Sequence, residues 1–293
     1  MISKQFDKWY QSVNYISGGR LDILKRALKR FSVTNGSQAA AALAYYAFFS
    51  LFPLLLVGIA GGSYFISSQR IYQNVTELVH NIIPVSTQLI DENLRQVLET
   101  RGTVGLLSLL TLLWSASGVF TNLATNINRA WPKADRRNFL QNRLVGLSII
   151  GGMSLLVILS VIADSVLKFV PFPGIGGATS STERLWRLIS DIGTWLMIFL
   201  VFLALYRWVP TRDVHWSATI WGAFTASIGW KAATAGFTWY LRSGLGRYQV
   251  VYGSLGAIVA LLFLIFIVAV ITLFGAHLSA AIDYWEKNRI NET

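Results

Sequence analysis

Long apolar runs broken by short polar stretches dominate the chain. Six of them, about 39–66, 103–127, 144–166, 188–209, 214–240 and 253–282, read as helices able to cross a bilayer. A hydrocarbon core of about 30 Å needs roughly 20 apolar residues per helix, and each run reaches that length. The expected fold is therefore all-α: a polytopic membrane bundle of six transmembrane helices. Before the first run, Leu21, Leu24, Leu28 and Phe31 share one helical face, with Lys25, Arg26, Lys29 and Arg30 around the rest. Such a segment either lies on an anionic leaflet or packs beneath the bundle. Between the first two runs, Ile71, Val75, Leu78, Val79 and Ile82 form one apolar stripe. Ile90, Leu94, Val97 and Leu98 form another beyond Pro84. These predict an external helical hairpin over 67–102, and Pro171 to Ser181 reads as a loop rich in Gly, Pro and Ser. The organisation is then a basic amphipathic segment at 1–38, a transmembrane domain at 39–282 and a tail at 283–293.

Charge adds an orientation. Only 13% of the 293 residues are charged, against roughly 25% in soluble proteins. Lys and Arg counted on alternate sides of the six spans come to 16 against 8, which puts both termini in the cytoplasm. The net charge of +11 needs no nucleic-acid partner, because basic cytoplasmic loops account for it. The first 38 residues lack an apolar core followed by a small-residue cleavage site, so they do not read as a secretory signal.

Polar groups inside the spans carry the candidate chemistry, because in lipid each needs a partner or a wet cavity. In the second span Ser108, Thr111, Ser115, Gly118, Asn122, Asn126 and Arg129 fall within an arc of roughly 80° at about 100° per residue. That edge is either the wall of a hydrated pathway or a helix interface joined by hydrogen bonds. The first span adds Tyr45, Tyr46 and Ser50, with Pro53 predicting a kink and Gly58 and Gly62 a close helix approach. The fifth span, rich in Gly, Ala and Ser, is expected to sit centrally with neighbours on several sides, and it carries Lys231. Lys231 is expected to pair with Asp191 or Asp164, Asp191 being favoured, or else to snorkel alone. Trp216, Trp221, Trp239 and Trp285 lie at span ends, where indoles anchor at headgroup level.

Catalysis has little to stand on. His80, His215 and His277 are scattered, as are the acidic residues, and there are no cysteines, so neither a metal site nor a disulfide is expected. No Gly-rich loop ending in Lys-Ser or Lys-Thr is present to bind ATP. His277 reads as a satisfied interface histidine.

The phrases Ala40 to Pro53 (AAALAYYAFFSLFP), Leu113 to Trp131 (LWSASGVFTNLATNINRAW), Leu205 to Pro210 (LYRWVP), Val251 to Gly256 (VYGSLG) and Leu273 to Ala280 (LFGAHLSA) resemble the YihY/BrkB family of bacterial inner-membrane proteins. That family has been labelled virulence factor BrkB and, earlier, ribonuclease BN. The resemblance covers nearly the whole chain in order. It implies six helices with cytoplasmic ends and supplies neither a settled activity nor a catalytic residue.

The residues suggest an inner-membrane transporter or exporter of an anionic or amphiphilic substrate such as a lipid precursor, not driven by ATP itself and using no cofactor. Ser115, Asn122, Asn126, Arg129, Tyr45, Tyr46 and Lys231 would line its path. The alternative is an envelope scaffold without transport. Membrane lipids are the expected partners, and a homo-oligomer is compatible with either reading.

Overall fold

A computed structural model of the chain describes residues 20–62, 106–132, 134–135, 137–152, 180–243 and 254–290. Within these, the side chains of 51–62, 106–113, 115–116 and 180–191 are not described, nor are those of a few residues at helix ends. The predicted external hairpin, most of the third run and the Pro171 loop lie outside the described residues.

All regular structure among the described residues is helical. The helices are α1 (Arg20–Val33), α2 (Gly36–Gly62), α3 (Leu106–Asn128), α4 (139–152), α5 (Ser180–Trp208), α6 (Trp216–Arg242) and α7 (Ser254–Ile290). At 1.5 Å per residue, the 27 residues of α6 extend about 40 Å and the 37 of α7 about 55 Å. One stretch among the described residues, Ile258–Arg289 within α7, is both long and apolar enough to cross a bilayer. Ile192–Trp208 within α5 is a shorter apolar stretch. α2 continues through Pro53.

α7 organises the fold, packing against α1, α2 and α6, while α3 packs on α2 and α5 on α6. The α6–α7 contact is antiparallel and close because α6 presents glycine at two of its contacts. A Cβ on Gly222 would meet Ser279 Cβ at 2.7 Å, and one on Gly229 would meet Ile271 Cγ2 at 2.8 Å. Spacing of three and four residues keeps Gly222, Ala226 and Gly229 on one face, which lets the backbones approach. The expectation that α6 has neighbours on several sides is met on only part of its surface. It packs on α5 and α7, whereas Ala232, Ala235 and Gly236 stand exposed.

α1 packs on the C-terminal part of α7, with a face rotated from the predicted one. Ala27 is fully buried, and the Phe31 ring meets Phe274 and His277 edge-on. Arg26 lies 4.1 Å over the Tyr284 ring. Leu24 and Leu28, expected on the same face as Phe31, are exposed. A helix with two adjacent apolar faces can therefore rest on protein with one and leave the other free. The turn into α2 uses Asn35 at φ 55, a left-handed conformation that Asn tolerates.

The region expected to be a tail is helical to Ile290, eight residues past Ile282. The reason is a set of contacts to the α5–α6 turn. His215 caps α6 without a side-chain bond of its own, and Asp283 of α7 supplies the acceptor. The Asp283 carboxylate accepts from the His215 amide at 3.0 Å, pairs with its ring Nδ1 at 2.8 Å and accepts from Lys287 Nζ at 3.0 Å. An acidic group at a helix N-terminus also meets the positive end of the dipole. Ser217 donates to the Glu286 carboxylate, and Lys287 reaches the Asp213 carbonyl at 2.9 Å. Thus α1, the segment after α3, the α5–α6 turn and the end of α7 gather at one end of the bundle.

Candidate functional site

The second apolar run became α3, and its polar residues divide into two edges. The predicted edge holds Asn122, Asn126 and Arg129. Asn126 is 8% exposed; its Nδ2 donates to the Asn122 carbonyl at 2.9 Å and its Oδ1 accepts from Arg129 Nη1 at 3.2 Å. Asn122 is half-buried and Arg129 exposed. The side chains of Ser108, Thr111 and Ser115 lie outside the described residues.

A second polar edge, which the periodicity reading missed, comprises Ser117, Thr121 and Asn128. Ser117 is fully buried. α4 lies on this edge, where a Cβ on Gly146 would come within 2.7 Å of Thr121 Oγ1 and 3.0 Å of the Ser117 carbonyl. Asn128 Oδ1 accepts from the Thr211 amide at 2.9 Å and its hydroxyl at 3.1 Å, joining α3 to the α5–α6 turn. Hydrogen bonds of this kind hold helices together.

Arg143 of α4 stands at the margin between the two edges. Its Nη1 donates to Ser117 Oγ at 2.7 Å and to the Trp114 carbonyl at 3.1 Å. Its guanidinium lies 4.7 Å from the Trp114 ring centre and 5.7 Å from that of Phe139. A Cβ on Gly118, a residue of the predicted edge, would lie 3.5 Å from the same Nη1. Arg143 Nε is buried and has no hydrogen-bond partner. Gly118 is ten residues from the end of α3, so this cation sits about 15 Å along the helix from Asn128. In the sequence Arg143 counted only as a loop charge. Its aromatic neighbours are brought together by the crossing of α3 and α4, which no local pattern encodes.

The remaining candidates are dispersed. Tyr45 and Tyr46 are exposed on α2, with the Tyr45 ring 4.6 Å from Phe49 and 5.9 Å from Tyr46. Lys231 is exposed on α6. Asp164 and the side chain of Asp191 lie outside the described residues, as does the expected pairing with Lys231. His277 is satisfied at an interface, as expected, with Nδ1 donating to the Leu273 carbonyl at 2.8 Å and Nε2 2.9 Å from Thr34 Oγ1. Among the described residues, no group of three or more His, Cys, Asp or Glu is placed to hold a metal.

An apolar groove of about 620 Å³ runs between α4 and α5, lined by Val145, Ile149 and Gly152 on one side and by Leu200, Ala204 and Arg207 on the other. Arg207 Nη1 donates to the Val214 carbonyl at 2.9 Å, and its guanidinium lies 5.2 Å from the Trp216 ring centre. A smaller pocket of about 470 Å³ adjoins it through Val145 and is lined by Asp135, Arg137, Gln141 and Thr211. Arg137 Nη1 is buried without a hydrogen-bond partner. Burial lowers the Arg137 pKa from its ordinary value, although a guanidinium stays charged at any physiological pH.

The chain matches the family described as Virulence factor BrkB over residues 27–293. It is 27% identical over 286 residues to the inner membrane protein YhjD of Escherichia coli (strain K12), covering 91% of this chain and 82% of that one. It is 26% identical over 275 residues to a UPF0761 membrane protein of Vibrio parahaemolyticus, covering 90% and 84%. It is 25% identical over 272 residues to YfkH of Bacillus subtilis (strain 168), a protein named ribonuclease-like, covering 91% and 97%. No solved structure matches the chain. The apolar helices and a family match over nearly the whole length establish that the chain belongs to the Virulence factor BrkB family and is an integral protein of the bacterial inner membrane.

Proposed function

We propose that the chain crosses the inner membrane six times with both ends in the cytoplasm, and that it transports or exports an anionic or amphiphilic substrate such as a lipid precursor. The observation that carries this reading is Arg143, a cation beside Gly118 and one helical turn from Asn122, on a helix whose polar edge continues to Arg129. An ionisable side chain laid against a membrane helix among aromatic rings is expensive to desolvate and is by default a functional-site candidate. The gathering at one end of the four segments that carry most of the basic residues supports the orientation. The name of the Bacillus relative belongs to that relative. The reading here is not enzymatic: the His215–Asp283 pair is taken up in joining α6 to α7, and among the described residues no three His, Cys, Asp or Glu gather to hold a metal.

A scaffold without transport is favoured by a different observation: Asn126 and Ser117 are buried and bonded within or between helices. Flux or lipid-scrambling rates in proteoliposomes separate the two. The Asn122→Leu/Asn126→Leu double variant and Arg143→Gln should slow transport, while Arg143→Lys retains part of the rate. Rates identical to those of the parent chain in both variants would overturn the transport reading.

A further inference from the structure

The groove between α4 and α5 and the pocket beside it have opposite characters and share a wall at Val145. The groove follows α5 from Leu200 to Val209, about 14 Å at 1.5 Å per residue. That length is close to the depth of one leaflet, half of a hydrocarbon core of about 30 Å. Its rim exposes Leu200, Trp208 and Trp216. Indoles beside a cation at the end of an apolar slot mark the headgroup level. The groove ends at Arg207, and the adjoining pocket holds Arg137, whose buried Nη1 no protein group satisfies. Asp135 also lines the pocket, but the two arginines outnumber it, and among the described residues no ion pair joins either one to a carboxylate. Arg207 is half-buried and already donates to the Val214 carbonyl, so the unsatisfied donor is that of Arg137. A guanidinium with a buried free N–H and no acidic partner is completed by a phosphate, with Arg207 as a second cation at the groove end.

We propose that this groove holds one anionic phospholipid of the bilayer, with an acyl chain along Leu200 to Trp208 and its phosphate in reach of Arg137 and Arg207. The assignment to the cytoplasmic leaflet follows from the orientation proposed above. Binding itself rests neither on that orientation nor on transport.

Native mass spectrometry of the full chain, purified and exchanged into mixed micelles of phosphatidylglycerol and phosphatidylcholine with identical chains, tests the site. One phosphatidylglycerol should remain bound in preference to phosphatidylcholine. Arg137→Gln/Arg207→Gln should reduce that preference by at least roughly tenfold, the worth of one charge-assisted hydrogen bond. Gly152→Leu fills the groove with little risk to folding, because a Cβ there meets nothing within 4 Å and leucine favours helix. It should remove the retained lipid altogether. Equal retention of the two lipids by the parent chain overturns the proposal. So does retention that Gly152→Leu leaves unchanged, which would place the lipid elsewhere on the surface. Transport rates measured on Gly152→Leu are a separate readout, so a failed lipid site and a failed transport reading remain distinguishable.

Discussion

Gly275→Ala probes a close contact of α7 with both α5 and α6. A Cβ at Gly275 would lie 2.5 Å from Tyr206 Oη and 2.9 Å from Ala226 Cβ, whereas carbon atoms in good contact stand about 3.5–4.0 Å apart. Neither neighbour has room to give: Tyr206 is fully buried with its hydroxyl donating to the Thr272 carbonyl at 2.7 Å, and Ala226 is 1% exposed on α6. The added methyl must therefore separate α6 from α7 or dislodge the tyrosine. Overpacking costs about 1–3 kcal/mol, and loss of the Tyr206 hydrogen bond about 0.5–1.5 kcal/mol more. The better helix propensity of alanine returns up to about 1 kcal/mol. A net loss of about 2 kcal/mol follows. The assay is SDS-induced unfolding in mixed micelles followed by tryptophan fluorescence, on the parent chain, Gly275→Ala, Ala226→Gly and the double variant. Ala226→Gly removes the 2.9 Å clash, so the double variant should recover part of the loss, with a coupling of about 0.5 kcal/mol or more. If Gly275→Ala unfolds at the parent midpoint, or the two substitutions simply add, the helices are not in contact as described.

Two further outcomes follow from the same packing. Asp283→Ala strips the His215 amide and ring of their acceptor in a buried place, so it should destabilise by about 2–3 kcal/mol and raise hydrogen exchange in the first turn of α6; parent-like exchange there would remove Asp283 as the cap. Asp283→Asn, which still offers one acceptor, should lose less. On α4, Gly146→Ala forces a methyl against Thr121 and should cost about 1–3 kcal/mol in the same unfolding assay. Gly151→Ala meets nothing within 4 Å and should be neutral or stabilising by up to about 1 kcal/mol; the opposite order would mean that α4 rests on α3 with another face.

The sequence by itself determined the all-helical class, the membrane as solvent and the family. The first two are local consequences of composition: a run of some 20 apolar residues has its backbone satisfied in lipid only as a helix, wherever its neighbours lie. Accordingly α2, α3, α5 and α6 fall where the apolar runs predicted, within a few residues except at the start of α5. The extension of α7 past Ile282 is not encoded locally, because its support, the α5–α6 turn, is about 70 residues away in the chain. Only the tertiary structure decided which polar residues meet. In water an apolar face marks the core, but in lipid the outward face is apolar too, so periodicity does not tell the rotation of one helix against another. Hence the Asn122 and Asn126 edge was visible as a stripe, while the second edge at Ser117 and Thr121, the seat of Arg143 and the groove ending at Arg207 depend on axial register. That register is set by where small residues such as Gly146, Gly222 and Gly275 let two backbones come close.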